Sequence, residues 1–197
     1  MSGEETKRLL VEATLRLLGR EGFHEITTRR IAEEAGVNVA AVNYHFGSKD
    51  ALVKQAALLF RDKMRELFSV LDAPGLTPNQ KLRRLGHQFA DNLVDYPGFL
   101  KTFVAALLNG QDPPAPAREN VERGRDLMVS YLRQTLGGSD ESIRNDMLQL
   151  MSAIVYPAVL GQHSATLYEV PFHDAEYRHR YVEQLMDHFG IGQAEDE

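Results

Sequence analysis

Residues Thr27–Asp50 read TTRRIAEEAGVNVAAVNYHFGSKD, a pattern that predicts two short helices and a tight turn between them. Ile31, Ala32 and Ala35 recur at helical spacing, so they give a first short helix one apolar face. Gly36 follows directly, where a chain that leaves a helix adopts a left-handed conformation at little cost. The pattern therefore predicts a short helix that ends in a glycine turn.

A second short helix is predicted directly after this turn. Asn38 is a good N-cap, and Val39, Val42 and Phe46 repeat at i, i+3 and i+7. Two such helices joined by a tight turn form a helix-turn-helix, whose second helix enters the major groove of DNA. The same spacing would also suit two packed helices of an ordinary bundle. The side chains on the surface of the second helix distinguish this interpretation from a DNA-binding one.

The side chains on the surface of the second helix favour DNA binding. Asn38, Asn43, Tyr44 and His45 are only middling helix formers, whereas a solvated helix face would use Glu, Lys and Gln. Asn side chains read base edges, small apolar side chains touch thymine methyl groups, and Tyr, His and Lys reach phosphates. Double-stranded DNA is therefore the first partner to consider.

The segment resembles the DNA-binding region of the TetR/AcrR family of bacterial transcriptional regulators. The matching run is IAEEAGVNVAAVNYHFGSKDAL, Ile31–Leu52, and the likeness continues upstream through the Gly22–Phe23 turn, over about the first third of the chain. Two positions depart from the common pattern: Asn43 stands where many relatives carry Tyr, and Ala40 where Gly is frequent. Because of these departures, the resemblance does not predict the operator sequence. It still implies a DNA-binding role.

The resemblance implies an all-α fold, with an N-terminal three-helix domain containing the helix-turn-helix joined to a larger helical domain for effector binding and dimerisation. It also implies which side chains contact DNA. Some would contact phosphates, one would also cap the recognition helix, and others would face base edges. The phosphate contacts are Thr28, Asn38, Tyr44, His45 and Lys49, of which Tyr44 and His45 could also reach adjacent bases, and the base-facing residues are Val39, Ala40 and Asn43.

Composition limits the class of protein. The 197 residues are 43% hydrophobic, enough for a buried core, and no apolar run approaches the ~20 residues of a membrane span. The chain has no cysteine and no secretion signal at its N-terminus, so we expect a soluble cytoplasmic protein without thiol chemistry. The net charge of −6 divides unevenly: residues 1–70 hold 11 basic and 10 acidic residues, whereas the remainder holds 11 and 18. The acidity therefore lies away from the predicted DNA-binding face.

The remainder of the chain also reads as helix, with no strand alternation and no repeat. We predict three parts: a DNA-binding domain with its connecting helix over 1–71, an effector-binding and dimerisation domain over 72–190, and a disordered acidic tail over 191–197. Turn residues between 72 and 78 set the first boundary, and a proline-rich loop is predicted over 111–117. The predicted helices run from Ser48 to Leu71, Asn79 to Asp95, Pro97 to Leu108, Val121 to Leu136, Ser139 to Tyr168 with a kink at Pro157, and Asp174 to Phe189.

The helix that starts near residue 139 carries two apolar stripes. Such a helix is either buried on all sides of a monomer or faces its own core on one side and a partner on the other. The resemblance favours a homodimer, because in that family the final two helices pair with their copies in a four-helix bundle. The predicted interface consists of Ile143, Met147, Leu150, Ile154, Tyr177, Tyr181 and Leu185, while a second stripe consists of Leu148, Met151, Val155 and Val159.

An effector pocket is predicted from the resemblance more than from the residues. Apolar residues of the middle helices are more often plain core, in which flexible Met side chains fill gaps. Family members commonly hold a small effector here, so we expect a small hydrophobic or amphipathic ligand. The candidate lining residues are Phe89, Leu93, Phe99, Phe103, Leu107, Met128, Tyr131, Leu132 and Met151.

No motif indicates catalysis, a cofactor or a metal site. The chain contains no Walker loop, no nucleophile elbow, no dinucleotide fingerprint and no H-E-x-x-H run, and no two histidines are spaced at i, i+3 or i+4. His179 and Glu183 form one helical pair, which is more often a surface interaction.

We therefore expect a homodimeric repressor that a small effector releases from a palindromic operator, with the helix over 48–71 joining the two functions. The alternatives are an activating or effector-independent regulator, or a helical scaffold protein without DNA binding.

Overall fold

The computed structural model describes residues 2–21, 26–112 and 115–192, without the side chains of residues 116 and 117. The described residues are helical and contain no strand, so the predicted all-α class is confirmed. The predicted Gly22–Phe23 turn and residues 193–197 of the tail lie outside them. The helices are α1 Gly3–Glu21, α2 Thr28–Ala35, α3 Ala40–Phe46, α4 Lys49–Phe68 with a 3-10 turn Ser69–Asp72, α5 Pro78–Asp95, α6 Pro97–Leu108, α7 Ala115–Leu136, α8 Asp140–Leu160, α9 His163–Tyr168 and α10 Ala175–His188.

These helices form two compact units. The first comprises Met1–Met64 and Asp95–Arg118, and the second Arg65–Val94 and Glu119–Glu197. The structure therefore divides the chain within α4 rather than at the predicted boundary after residue 71. It also groups α6 with the N-terminal helices, because α6 packs against α1.

The first unit is built around the helix-turn-helix. Its core is apolar and contributed by α1 to α4, with aromatic rings of α4 and α6 added at the side: Phe60 and Phe99 stack with ring centroids 3.7 Å apart. Burial of this apolar surface holds α2 and α3 in place, since these two helices are too short to be stable alone. The completely buried members are Leu10, Ala13, Leu18, Ile31, Val42, Leu52 and Ala56.

In the second unit, a hydrogen bond joins α10 to α8 at a carbonyl that Pro157 leaves unpaired. Proline has no N–H, so Pro157 leaves the carbonyl of Ala153 without its helical partner. The Tyr181 hydroxyl of α10 donates to that carbonyl at 2.8 Å. On α5, Gly86 lies so close to α10 that an added Cβ would overlap the Met186 methyl carbon. Among the described residues, no helix combines the length and apolar character needed to span a membrane.

Two predicted helix limits need correction. The helix predicted over Ser139–Tyr168 is two helices, because α8 ends at Leu160 and Gly161 adopts a positive φ of 58°. Pro157 sits in the last turn of α8, so Gly161 and not the proline ends the helix. The helix predicted from Val121 begins six residues earlier, at Ala115, because a proline is tolerated in a first helical turn.

Candidate nucleic-acid interface

Local capping positions α2 and α3. The Thr27 hydroxyl accepts from the Arg30 N–H at the start of α2, and Gly36 ends that helix with a left-handed φ of 67°. Asn38 was predicted as the N-cap of α3, but the N-cap residue is Val39; Asn38 Oδ1 instead accepts from the Ala40 N–H at 2.8 Å, the first amide of the helix. Each of these devices satisfies a backbone group that a helix end leaves unpaired.

One side of α3 is buried and the other is exposed. Val42 is completely buried, whereas Asn43 and Ala40 are exposed and Tyr44 is 84% exposed. Val39, which shares the helical spacing of Val42, is 48% exposed, because the chain is only beginning its first turn there. The four side chains therefore form one outward surface, which we call the α3 face: Val39, Ala40, Asn43 and Tyr44.

The other side chains predicted to contact DNA are partly buried or already make contacts within the protein. His45 is partly buried, packs its ring against Tyr44 with centroids 4.9 Å apart, and lies beside the first turn of α1 at Gly3. Thr28 is partly buried. Lys49 Nζ donates to the Ile26 carbonyl at 3.2 Å, a contact that ties the start of α4 to the segment before α2.

Glu34 connects α2 to α1 through two arginines. Its carboxylate accepts from Arg16 Nε at 2.9 Å and from Arg20 Nη2 at 2.7 Å. These hydrogen bonds, together with the guanidinium charges, lower the pKa of Glu34 although partial burial opposes the shift. Sequence inspection missed this cluster, since its members lie 14 and 18 residues apart.

Replacing Glu34 with Gln is expected to lower the melting temperature at pH 7 by about 1–3 °C, the size expected for a partly exposed charge cluster. Because the folded protein lowers the pKa of this carboxyl, its stabilisation is complete above the unfolded pKa and disappears as the pH falls through the folded one. Thermal melts of parent and Glu34→Gln should therefore converge below pH 4.5. Glu66→Gln, at an exposed position of α4, is the control. A difference that persists at low pH would contradict the assignment.

The predicted dimer-interface residues do not share an accessible face. Ile143, Leu150 and Ile154 are buried within their own chain, so they cannot contact a second copy without unfolding. This burial removes them from the candidate interface. Tyr181 already bonds to α8, and Met147, Tyr177 and Leu185 are partly buried.

Within the last three helices, the exposed large apolar side chains lie on another side of α8 and on α9. Leu148, from the second apolar stripe, is 61% exposed, and Tyr156 is also exposed. The Tyr156 hydroxyl lies 3.0 Å from that of Tyr168 on α9, where Leu167 is exposed as well. We call this the α8–α9 face: Leu148, Tyr156, Leu167 and Tyr168.

The candidate pocket residues are divided between the two units. Phe99, Phe103 and Leu107 belong to α6 in the first unit, where Phe99 stacks on Phe60 and Leu107 is exposed. The other six belong to the second unit and range from buried to partly buried; they are Phe89, Leu93, Met128, Tyr131, Leu132 and Met151. Within the described ranges, no three His, Cys, Asp or Glu side chains are arranged to hold a metal ion.

The known proteins to which this chain is similar include bacterial transcriptional regulators. A model of the tetR family of bacterial regulatory proteins matches residues 10–56, which include α2 and α3. The HTH-type transcriptional regulator BetI of Agrobacterium fabrum is 37% identical over 130 residues, 65% of this chain and 58% of that protein. The HTH-type transcriptional dual regulator CecR of Shigella flexneri is 41% identical over 68 residues, 34% of this chain and 30% of that protein. The chain thus spans less than two thirds of either relative.

A solved structure supports the fold over nearly the whole chain. The crystal structure of a TetR-like transcriptional regulator from Rhodococcus sp. RHA1 matches with a TM-score of 0.66 at 17% identity, over 95% of this chain and 97% of that one. The helix-turn-helix geometry, the matched family model and these relatives agree. Residues 10–56 therefore match the tetR family of bacterial regulatory proteins, and the chain as a whole has the fold of a TetR-like transcriptional regulator.

Proposed function

We propose that this chain binds operator DNA sequence-specifically as a homodimer and represses transcription until a small effector releases it. The α3 face carries the proposal. An exposed Asn, an exposed Tyr and two small apolar side chains stand on a short helix whose opposite side is anchored by Val42. These are the side-chain types that contact base edges, phosphates and thymine methyl groups in the major groove.

The charge of the first unit supports specific rather than general DNA binding. Residues 1–70 are nearly neutral, and arginines 16, 20, 29 and 30 each pair with a glutamate of the same unit. Pairing reduces the cationic surface that would bind any phosphate backbone. Affinity is therefore expected to depend on a few phosphate contacts together with base contacts from the α3 face.

The proposed dimer uses the α8–α9 face. A two-fold dimer presents two recognition helices to two half-sites of a palindrome, which one subunit cannot do. Large apolar side chains exposed on neighbouring elements are typical of a protein–protein contact. The interface proposed from Ile143, Leu150 and Ile154 is accordingly replaced by one around Leu148 and Tyr156.

We propose that the apolar helices of the second unit bind a small hydrophobic or amphipathic effector, and that this effector releases the chain from operator DNA. An effector that binds better to a dimer unable to engage DNA would lower operator affinity, and by linkage the operator would lower effector affinity equally. Activation is a second candidate, because one relative is named a dual regulator. The measured sign of transcriptional change at a bound promoter distinguishes the two.

Selection of bound sequences from a random DNA pool tests DNA binding directly. We expect enrichment of a palindrome with half-sites about one helical turn apart, and binding that weakens steeply with salt. Recovery of unrelated sequences at every salt concentration would reject sequence-specific binding and leave a scaffold role.

Replacing Lys49 with Ala tests whether its ammonium also reaches a phosphate. We expect weaker binding to all DNA sequences alike, and a slope of log K against log salt that is reduced by roughly one unit per subunit. Lys63→Ala is the matched control, since Lys63 is exposed on α4 about 21 Å further along the helix. An unchanged slope with a lowered melting temperature would show that Lys49 serves only to hold the Ile26 carbonyl.

A further inference from the structure

Every lysine and arginine of α1 and α2 is paired with a carboxylate, and the structure describes both helices in full. A paired cation attracts a DNA phosphate less than a free one does, because the carboxylate offsets its charge and repels the phosphate. The pairs are Lys7 with Glu4, Arg8 with Glu12, Arg16 and Arg20 with Glu34, Arg29 with Glu33, and Arg30 with Glu21.

The two arginines of α2 matter most for DNA, because the first helix of a helix-turn-helix crosses the phosphate backbone. Arg30 contacts Glu21 of α1 twice, from Nη2 to Oε1 and from Nη1 to Oε2, each at 2.6 Å. Arginine–carboxylate pairs with two contacts are the stronger kind. Arg29 instead donates from Nε to Oε1 of Glu33 at 3.0 Å. Arg29 is therefore the arginine of α2 that a phosphate recruits more easily.

The pair between Arg29 and Glu33 is also the most exposed of those that α2 makes. The Arg29 side chain is 84% exposed and that of Glu33 is 62% exposed. The two residues lie one helical turn apart on the same side of α2, and an exposed pair of this kind is weak in water. A phosphate beside α2 can therefore draw Arg29 away, but only against the attraction of the Glu33 carboxylate.

The cost of separating Arg29 from Glu33 differs between random DNA and an operator. Random DNA is bound almost entirely through phosphates, and the protein shifts along it to the register with the best phosphate contacts. On an operator, the base contacts of the α3 face fix one register, so Arg29 meets only the phosphate that this register offers. The Glu33 carboxylate is therefore expected to weaken binding to random DNA more than binding to the operator.

We propose that Glu33 is a specificity-determining residue. Its carboxylate competes with DNA phosphates for Arg29 and thereby suppresses binding to DNA that lacks the operator sequence. This role rests on the proposed function, because it requires a chain that binds DNA through α2 and α3. It differs from the role of Glu34, which joins α2 to two arginines of α1 and contributes to stability.

The variant Glu33→Gln tests this role. Fluorescence anisotropy compares it with the parent on the selected operator and on an unrelated duplex of equal length, between about 50 and 200 mM salt. We expect the affinity for the unrelated duplex to rise several-fold and its slope of log K against log salt to steepen by up to about one unit per subunit. Operator affinity should rise only about 2-fold per subunit, the effect of losing one exposed helical ion pair. The ratio of the two affinities should therefore fall.

Two further variants show whether the gain depends on Arg29. The double variant with Arg29→Gln and Glu33→Gln should lose the gain on the unrelated duplex, because the freed guanidinium is absent. Glu66→Gln removes the same charge from an exposed position of α4 and should leave the salt slope unchanged. Thermal melts of all three variants should stay within about 2 °C of the parent, since the pair is exposed.

The possible failures are distinguishable. If the parent binds its operator but Glu33→Gln shows parental affinity and salt slope on the unrelated duplex, Glu33 is no specificity determinant and the proposed function stands. A gain that persists in the double variant would assign the effect to net charge and overturn the competition for Arg29. A parent that binds neither duplex at low salt would overturn the proposed function and the role of Glu33 together.

Discussion

Ile154→Asp is expected to unfold the second unit rather than merely separate two subunits. Ile154 is only 1% exposed and is covered by its own chain. An unpaired carboxylate in such a position costs several kcal/mol, a large part of the roughly 5–15 kcal/mol that stabilises an ordinary domain. Circular dichroism should show loss of the cooperative melt, or a melting temperature lowered by more than about 8 °C.

The same substitution on another side of α8 should have a different result. Leu148→Asp adds a charge where the side chain is already exposed, so the helix content and melt of the isolated chain should be kept. If the α8–α9 face is the interface, light scattering should show a monomer, and operator affinity should collapse because one subunit reaches one half-site.

Gln134→Asp provides the control for both substitutions. It adds the same carboxylate at an exposed position of α7, outside the α8–α9 face. We expect it to remain a folded dimer with normal DNA binding. A normal melt for Ile154→Asp would contradict the observed packing of α8, and a dimeric Leu148→Asp would place the interface on another surface.

The sequence predicted the helix-turn-helix well because its signals are local. A capping Thr27, a left-handed Gly36 and an Asn38 that accepts from the Ala40 N–H act within four residues of the groups they satisfy. Such interactions are readable from neighbouring letters. The buried side of α3 was equally accessible, since Val42 repeats at helical spacing with Phe46.

The orientation of α8 could not be predicted in the same way. Both of its stripes are apolar, so periodicity identifies two candidate faces without ranking them. Only packing shows that Ile154 faces the core and Leu148 faces solvent. The resemblance suggested that the final helices form an interface, but a family pattern does not say which face of a doubly apolar helix is covered.

Contacts between distant residues were also missed. The Glu34 cluster and the Lys49 contact with Ile26 join residues 14 to 23 positions apart, and the ion pair between Arg83 of α5 and Glu183 of α10 joins residues 100 positions apart. His179 and Glu183 were interpreted as a surface pair because their partners on α5 could not be identified from spacing. Such tertiary contacts depend on how helices pack, which sequence periodicity leaves open.

Asn43→Ala is expected to weaken binding to the selected operator by about 1–3 kcal/mol, which is roughly 5- to 150-fold. Asn43 is exposed on the α3 face, so its removal should leave the fold and the dimer unchanged. An Asn side chain that reads a base edge distinguishes one sequence from others. Binding to random DNA should therefore change much less than binding to the operator.

Asn38→Ala separates base reading from support of the first turn of α3. Asn38 Oδ1 holds the Ala40 N–H at the start of α3, so its loss should lower the melting temperature and weaken binding to every DNA sequence. Fluorescence anisotropy with operator and random duplexes at one fixed salt concentration compares the two variants. Equal losses of Asn43→Ala on both duplexes would reassign Asn43 to a phosphate contact. Unchanged binding to both would mean that the α3 face does not read DNA through Asn43, and base recognition would then fall to Val39, Ala40 and Tyr44.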